Sequence, residues 1–269
     1  MRRMRFVPAA IALFAVTFLV STSAAPTTGG RSVQVPPAGK VVATYASGAG
    51  ISYLGARVDA KGHLALESPR GQSLIGFDEG YGLCTGGDTA SAMDFHGSEY
   101  VVVRGFAPPT ISQPTPGAFP VTITRQTKDG RFRLVQRWAL PDATDKTVTV
   151  TMTLTNLGTT TASGIELLRE TEAPSNYGDL PALTIGASGD GVWWWGTLGS
   201  HGVMMSARTL GVPHEGGFTT DIDLPDACGS YYDPGPSSLD AGGYARVAYF
   251  LPDLPPNHTV SVAVVFHRI

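Results

Sequence analysis

Thr147-Val148-Thr149-Val150-Thr151-Met152-Thr153-Leu154-Thr155 decides the fold class of this chain. Side chains in an extended strand point alternately to opposite faces. Val148, Val150, Met152 and Leu154 therefore share one face and five threonines share the other. Nine consecutive β-formers with a period of two predict a strand buried on one side and wet on the other. Working outward, Asn156-Leu157-Gly158 reads as a turn, because Asn and Gly tolerate positive φ, and residues 165–171 read as the return strand of a hairpin. Upstream, Lys128-Asp129-Gly130 is a turn that pairs residues 121–127 with 131–138. Downstream, Val260, Val262, Val264 and Phe266 alternate with Ser261, Ala263, Val265 and His267 in a closing strand.

Further strands are predicted at residues 40–45, 52–58, 63–67, 100–106, 182–185, 191–195, 203–208 and 245–251. The segment at 80–88 is rich in Gly, and 211–243, Gly-, Pro- and Asp-heavy, reads as loop-rich. The chain of 269 residues carries 33 Gly and 20 Pro, about a fifth of its length. Gly costs about 1 kcal/mol and Pro about 3 kcal/mol inside a helix, which excludes a helical bundle or coiled coil. No stretch after the first 24 residues keeps a 3.6-residue apolar period. The expected architecture is all-β: a large antiparallel β-sandwich, supersandwich-like, of a dozen or more short strands. Residues 39–269 read as one domain behind a Pro/Thr/Gly/Ser-rich lead-in at 25–38; two smaller sandwiches divided near 110–120 are the alternative.

The first residues read as an export signal. Arg2, Arg3 and Arg5 precede an uncharged run over 6–20 and the small residues Ser21 to Ala25. That run is too short for a membrane span, which needs roughly 20 apolar residues, and its order is that of a cleaved signal peptide ending at Ala24. Cleavage removes three arginines and leaves 16 basic against 22 acidic residues, a net charge of −6. An acidic protein is a poor partner for nucleic acid or anionic membrane. The reading is a secreted, extracellular protein in which Cys84 and Cys228 pair as a disulfide; two unpaired thiols are the alternative.

Motifs for chemistry are absent. There is no nucleophile elbow, zincin helix, Walker loop or dinucleotide fingerprint, so no cofactor is expected. Six scattered histidines offer no pair at metal-ligand spacing. Three constellations stand out. In Arg169-Glu170-Thr171-Glu172 the two acids share a strand face, roughly 6.5–7 Å apart at Cα; paired carboxylates can serve glycoside hydrolysis, and Glu79 is a further candidate acid. Their plainer reading is a solvated strand end. In Asp221, Asp223 and Asp226, clustered carboxylates suit Ca²⁺, although the spacing is not that of an EF-hand. In Trp193-Trp194-Trp195, the outer two rings face one side and Trp194 the other. Together with Tyr231 and Tyr232 these rings can stack on sugars or pack as core.

Four segments in order, Glu79-Gly80-Tyr81-Gly82, Asp129-Gly130-Arg131-Phe132-Arg133-Leu134, residues 148–154 running into Thr155-Asn156-Leu157-Gly158, and Leu168-Arg169-Glu170-Thr171-Glu172, carry a resemblance. Over residues 75–269 the chain resembles a group of uncharacterised secreted bacterial β-sandwich proteins. In similar proteins an aromatic often accompanies the Arg and the acids; here Arg169 and Glu172 stand without one. The resemblance implies a secreted sandwich and no activity. Two functions therefore stand from sequence: a non-catalytic binding or structural module that takes a glycan or cell-envelope component, and a carbohydrate-active enzyme using Glu170, Glu172 or Glu79.

Overall fold

A computed structural model describes residues 39–75, 79–86, 90–96, 101–173, 183–196, 201–219, 228, 237–239 and 243–269. The signal segment, the lead-in, Asp221, Asp223, Asp226, Tyr231 and Tyr232 lie outside them. The described residues form antiparallel sheets without an α-helix. Three strands, β1 (Val41–Ser47), β2 (Leu54–Asp59) and β3 (Leu64–Glu67), make a small sheet in that order. A six-stranded sheet runs β15 (His214–Thr219), β17 (Gly243–Leu251), β11 (Ile165–Ala173), β4 (Glu79–Thr85), β5 (Ala90–His96) and β6 (Val101–Arg104). A nine-stranded sheet runs β16 (Ser237–Leu239), β12 (Leu183–Ser188), β13 (Gly191–Gly196), β14 (His201–Ala207), β18 (Thr259–Arg268), β10 (Thr147–Asn156), β9 (Phe132–Trp138), β8 (Val121–Gln126) and β7 (Thr110–Ser112).

The opening stretch is β10, at the centre of the nine-stranded sheet, paired with β18 on one side and β9 on the other. Val148, Val150, Met152 and Leu154 are fully buried. On the wet face Thr153 and its cross-strand partner Ser261 join hydroxyls at 2.8 Å. The inner faces of all three sheets share one apolar core. The nine-stranded sheet supplies Trp138, Val264 and Phe266, the six-stranded sheet Leu83, Leu167 and Val247, and the small sheet Leu54 and Val58. Each fully buried aliphatic or aromatic side chain contributes about 1.5–3 kcal/mol relative to exposure.

The hairpin expected after β10 does not form. β11 pairs with β17 and β4, not with β10, so residues 157–164 carry the chain from one sheet to the other. Asn156 holds this crossover. It is buried, its amide donates to the carbonyls of Leu254 and Thr160 at 2.7 and 2.8 Å, and its Oδ1 accepts the Gly158 N–H. Both β10 and β11 carry inward apolar faces, and burying both takes opposing sheets. The Gly-rich stretch at 80–88 contains most of β4, and β15 lies within the expected loop at 211–243. Glycines masked the strand period there, because they add no side chain to the alternation. Strands from before and after residues 110–120 pair within the six-stranded sheet. Cys84 and Cys228 form a disulfide with Cα atoms 5.8 Å apart, closing a loop of 144 residues.

Candidate functional site

The six-stranded sheet carries polar residues on both faces, and strand alternation in β11 separates them. Ile165, Leu167, Arg169 and Thr171 point into the sandwich; Glu166, Leu168, Glu170 and Glu172 point outward.

On the inner face, Arg169 sits fully buried over the Trp138 ring, its guanidinium carbon 4.5 Å from the ring centre. It donates to Gln136 Oε1 at 3.0 Å and to the Gly62 carbonyl at 2.8 Å, and it pairs with Glu79. Gly62 turns at φ +97° between β2 and β3, and a Cβ there would lie 2.7 Å from the Gln136 amide nitrogen. Glu79 also accepts the Leu64 N–H at 2.8 Å. Burial pushes the Glu79 carboxyl up to about 7, against the pull of Arg169 and His63.

A second inner group adjoins it. His63 Nδ1 meets Asp59 Oδ2 at 3.0 Å, and His63 Nε2 meets Asp94 Oδ1 at 3.3 Å. Arg125 reaches Asp94 Oδ2 at 2.6 Å and the Tyr81 hydroxyl at 3.0 Å, and that hydroxyl donates to the Lys61 carbonyl at 2.7 Å. Burial disfavours the His63 imidazolium, but its hydrogen bonds to Asp59 and Asp94 outweigh that and raise it to about 9. Burial likewise opposes the charges of Asp59 and Asp94, yet their bonds to His63 hold both below the usual carboxylate range. These side chains are sealed between layers, with Asp59 and Asp94 at zero exposure. The cluster pairs charges where no substrate reaches them, so it fastens the small sheet to the sandwich.

The outer face is different. Glu170 stands in register with Arg246 and Glu172 with Tyr244 on β17. Glu170, Tyr244 and Arg246 are buried there, and Arg246 pairs with Glu166. Burial alone pushes the Arg246 guanidinium down to about 9, still charged at neutral pH beside the Glu166 carboxylate. Glu166, Glu172 and Glu215 are half-buried, and Phe250, in register with Glu166, is 40% exposed. Gly80 is in register with Glu170, and a Cβ there would lie 2.7 Å from the Phe95 ring. One end of this face is covered by the Cys84–Cys228 bridge, packed with Met93, Phe95, Leu168 and Ala248. The result is a buried polar floor edged by half-buried carboxylates and one exposed aromatic ring. Carboxylates accept hydrogen bonds from ligand hydroxyls, and an exposed ring offers an apolar stacking surface.

The residues singled out from sequence divide accordingly. Glu170 and Glu172 share the outer face, as their spacing requires. Glu79 lies on the inner face of the same sheet, paired with Arg169. Trp194 is a core residue at 1% exposure, and its Nε1 donates to the Leu74 carbonyl at 2.9 Å, so its ring is not a surface platform. Trp193 is half-buried on the outer side of the nine-stranded sheet. Among the described residues, no three His, Cys, Asp or Glu side chains converge to hold a metal ion. Sequence reasoning missed Tyr244, Arg246 and Phe250. Their signal was present in Gly243-Tyr244-Ala245-Arg246-Val247, where polar residues alternate with apolar ones inside a strand.

No protein-family model matches the chain, and no curated protein matches it by sequence. Solved structures match by fold. A putative aldose 1-epimerase from Escherichia coli K12 superposes with a TM-score of 0.56 at 12% identity, covering 85% of this chain and 99% of that one. A bacterial glucoamylase complexed with acarbose gives a TM-score of 0.47 at 11% identity, with 88% of this chain spanning 34% of the enzyme. A heparan sulfate lyase from Pedobacter heparinus gives 0.44 at 10% identity, with 86% of this chain spanning 37% of the lyase. At 12% identity, the likeness to the E. coli protein shows a shared fold alone.

Proposed function

We propose that this protein is a secreted glycan-binding β-sandwich whose ligand face is the outer side of the six-stranded sheet. The observation that carries this is the exposed Phe250 ring in register with the half-buried Glu166, which pairs with the buried Arg246, while Glu172 lies about 20 Å further along the same strand face, so the ligand is a glycan of several sugar units. A stacking surface next to fixed carboxylates is the combination that a sugar, apolar on its ring face and rich in hydroxyl donors, requires. The E. coli protein that shares this fold along nearly its whole length is described as a putative aldose 1-epimerase, which agrees with a sugar ligand. The signal-like order of residues 1–24 in the sequence and the Cys84–Cys228 bridge support an oxidising, extracellular setting.

The test is a glycan array followed by calorimetric titration of the best sugar. Phe250→Ala and Glu172→Gln each weaken binding at least tenfold without unfolding the protein. No binding to any sugar, or binding that both substitutions leave unchanged, refutes the reading.

A second reading, a carbohydrate-active enzyme, rests on Glu170 and Glu172 lying two residues apart on one strand face. It requires turnover on a glycoside panel that Glu170→Gln abolishes.

A further inference from the structure

The small sheet has its own outer face, and a concavity of about 290 Å³ lies on it. Sites for small molecules start near 300 Å³, so this volume suits a ligand of monosaccharide size. Tyr53 forms one wall. Its ring lies over Gly55, where a Cβ would come within 2.7 Å of the phenol oxygen. The Arg70 guanidinium carbon stacks 5.2 Å from the Tyr53 ring centre. Arg57, Thr44, Tyr45 and Glu67 also line it. Strand register places them side by side, Thr44 opposite Arg57 and Gly55 opposite Glu67.

Arg57 is half-buried in this concavity, unlike the exposed Arg131, Arg133, Arg137 and Arg208 on the rest of the surface. Arg125, Arg169 and Arg246 each meet a carboxylate. Arg57 and Arg70 have no carboxylate partner among the described residues. Glu67 does not pair with them either. Its Oε1 accepts the Gly71 N–H and so holds the 69–71 turn that presents Arg70. The cavity therefore combines two guanidinium forks, one carboxylate and three hydroxyl-bearing residues, Thr44, Tyr45 and Tyr53, within a protein whose formal charge is −3. Unpaired guanidiniums in a concave, partly apolar setting are suited to a carboxylate, which matches their planar donors bidentately. Glu67 and Thr44 supply acceptors for hydroxyl protons next to that anion.

We propose that this cavity is a second binding site, distinct from the outer face of the six-stranded sheet, and that it takes a sugar acid: a carboxylate held by Arg57 and Arg70, with neighbouring hydroxyls on Glu67 and Thr44. The ring of Tyr53 is already covered by Arg70, so recognition depends on charge and hydrogen bonds rather than on stacking of the sugar.

The test is calorimetric titration of the full processed chain with glucuronate, galacturonate, glucose, acetate and inorganic phosphate at low salt. One or both sugar acids bind, and glucose and acetate bind at least tenfold more weakly. Arg57→Ala and Arg70→Ala each weaken the sugar acid at least tenfold, and raising salt weakens it further through screening. Arg57 lies on the outer face of the small sheet and Arg70 on the exposed turn that follows β3, and unchanged thermal melting of each variant keeps the comparison interpretable. Glu67→Gln lowers the preference for the sugar acid over acetate. Phosphate or acetate binding as tightly as the sugar acid overturns the hydroxyl assignment and leaves a plain anion site. Absence of sugar-acid binding, or binding untouched by both arginine variants, overturns the proposal. Phe250→Ala should leave this titration unchanged, so failure here and failure at the six-stranded sheet are separable.

Discussion

The two faces of the six-stranded sheet use the same residue types for different ends. On the inner face, Arg169 meets Glu79, Gln136 and a backbone carbonyl between stacked aromatic rings, and nothing reaches solvent. On the outer face, Arg246 meets Glu166, but Glu166 and Glu172 are only half-buried and Phe250, in register with Glu166, is exposed. A charge locked on every side can only serve the fold, because its removal leaves an uncompensated partner in low dielectric. A charge locked on one side and open on the other can meet a ligand at little cost in folding. Adjacent residues of one strand thus divide between a sealed inner network and the half-buried face proposed to bind a glycan.

Four substitutions break or sharpen that contrast. The largest effect is expected from Arg169→Met, which strands Glu79 between the sheets and costs about 3–5 kcal/mol in chemical denaturation; a loss below 1 kcal/mol would mean the inner network is dispensable. Trp194→Ala, which empties a core site, costs about 3–5 kcal/mol, and any loss of glycan binding should track unfolding in the melting curve. Replacing Cys84 and Cys228 by alanine releases the long loop and costs up to about 4–5 kcal/mol in the chain-entropy account, read as a lower denaturation midpoint. Glu172→Gln lies at the small end for stability, within about 0.5 kcal/mol, while glycan affinity falls.

The inner face also makes stability depend on pH. His63 has its proton affinity raised on folding, so its contribution is complete below pH about 6.5 and is lost as pH rises through about 9. Glu79 is raised as well, so its contribution is lost between its ordinary value and about 7. Asp59 and Asp94 are lowered, and theirs disappears as pH falls below the usual carboxylate range. Thermal melting followed across this span should show stability falling from mildly acidic pH toward pH 9. In His63→Gln the alkaline part of that fall, above pH about 7, should flatten; a persistent slope there would assign it to another group.

Glycines mark where local reading stops. Gly80, Gly82, Gly216 and Gly217 sit in strands that a loop-like composition concealed, because tight packing against Phe95, Leu168 or Gly191 removed the side chains that would have shown the period. By contrast β8, β9, β10 and β18 were legible, since β-branched and aromatic residues recur every second position. Glu170 and Glu172 were legible as a pair for the same reason, while Arg246 gained meaning only from the strand that came to lie beside them.

By itself the sequence determined that this is an all-β chain with one wet and one dry face on its main strands, since alternation in a strand depends on nothing but backbone geometry. Pairing of β11 with β4 and β17, the burial of Arg125, Arg169 and Arg246, and the assignment of Glu79 inward and Glu170 outward were settled by tertiary structure alone. Which sheet a strand joins depends on burying two apolar faces at once, and those contacts lie far apart along the chain.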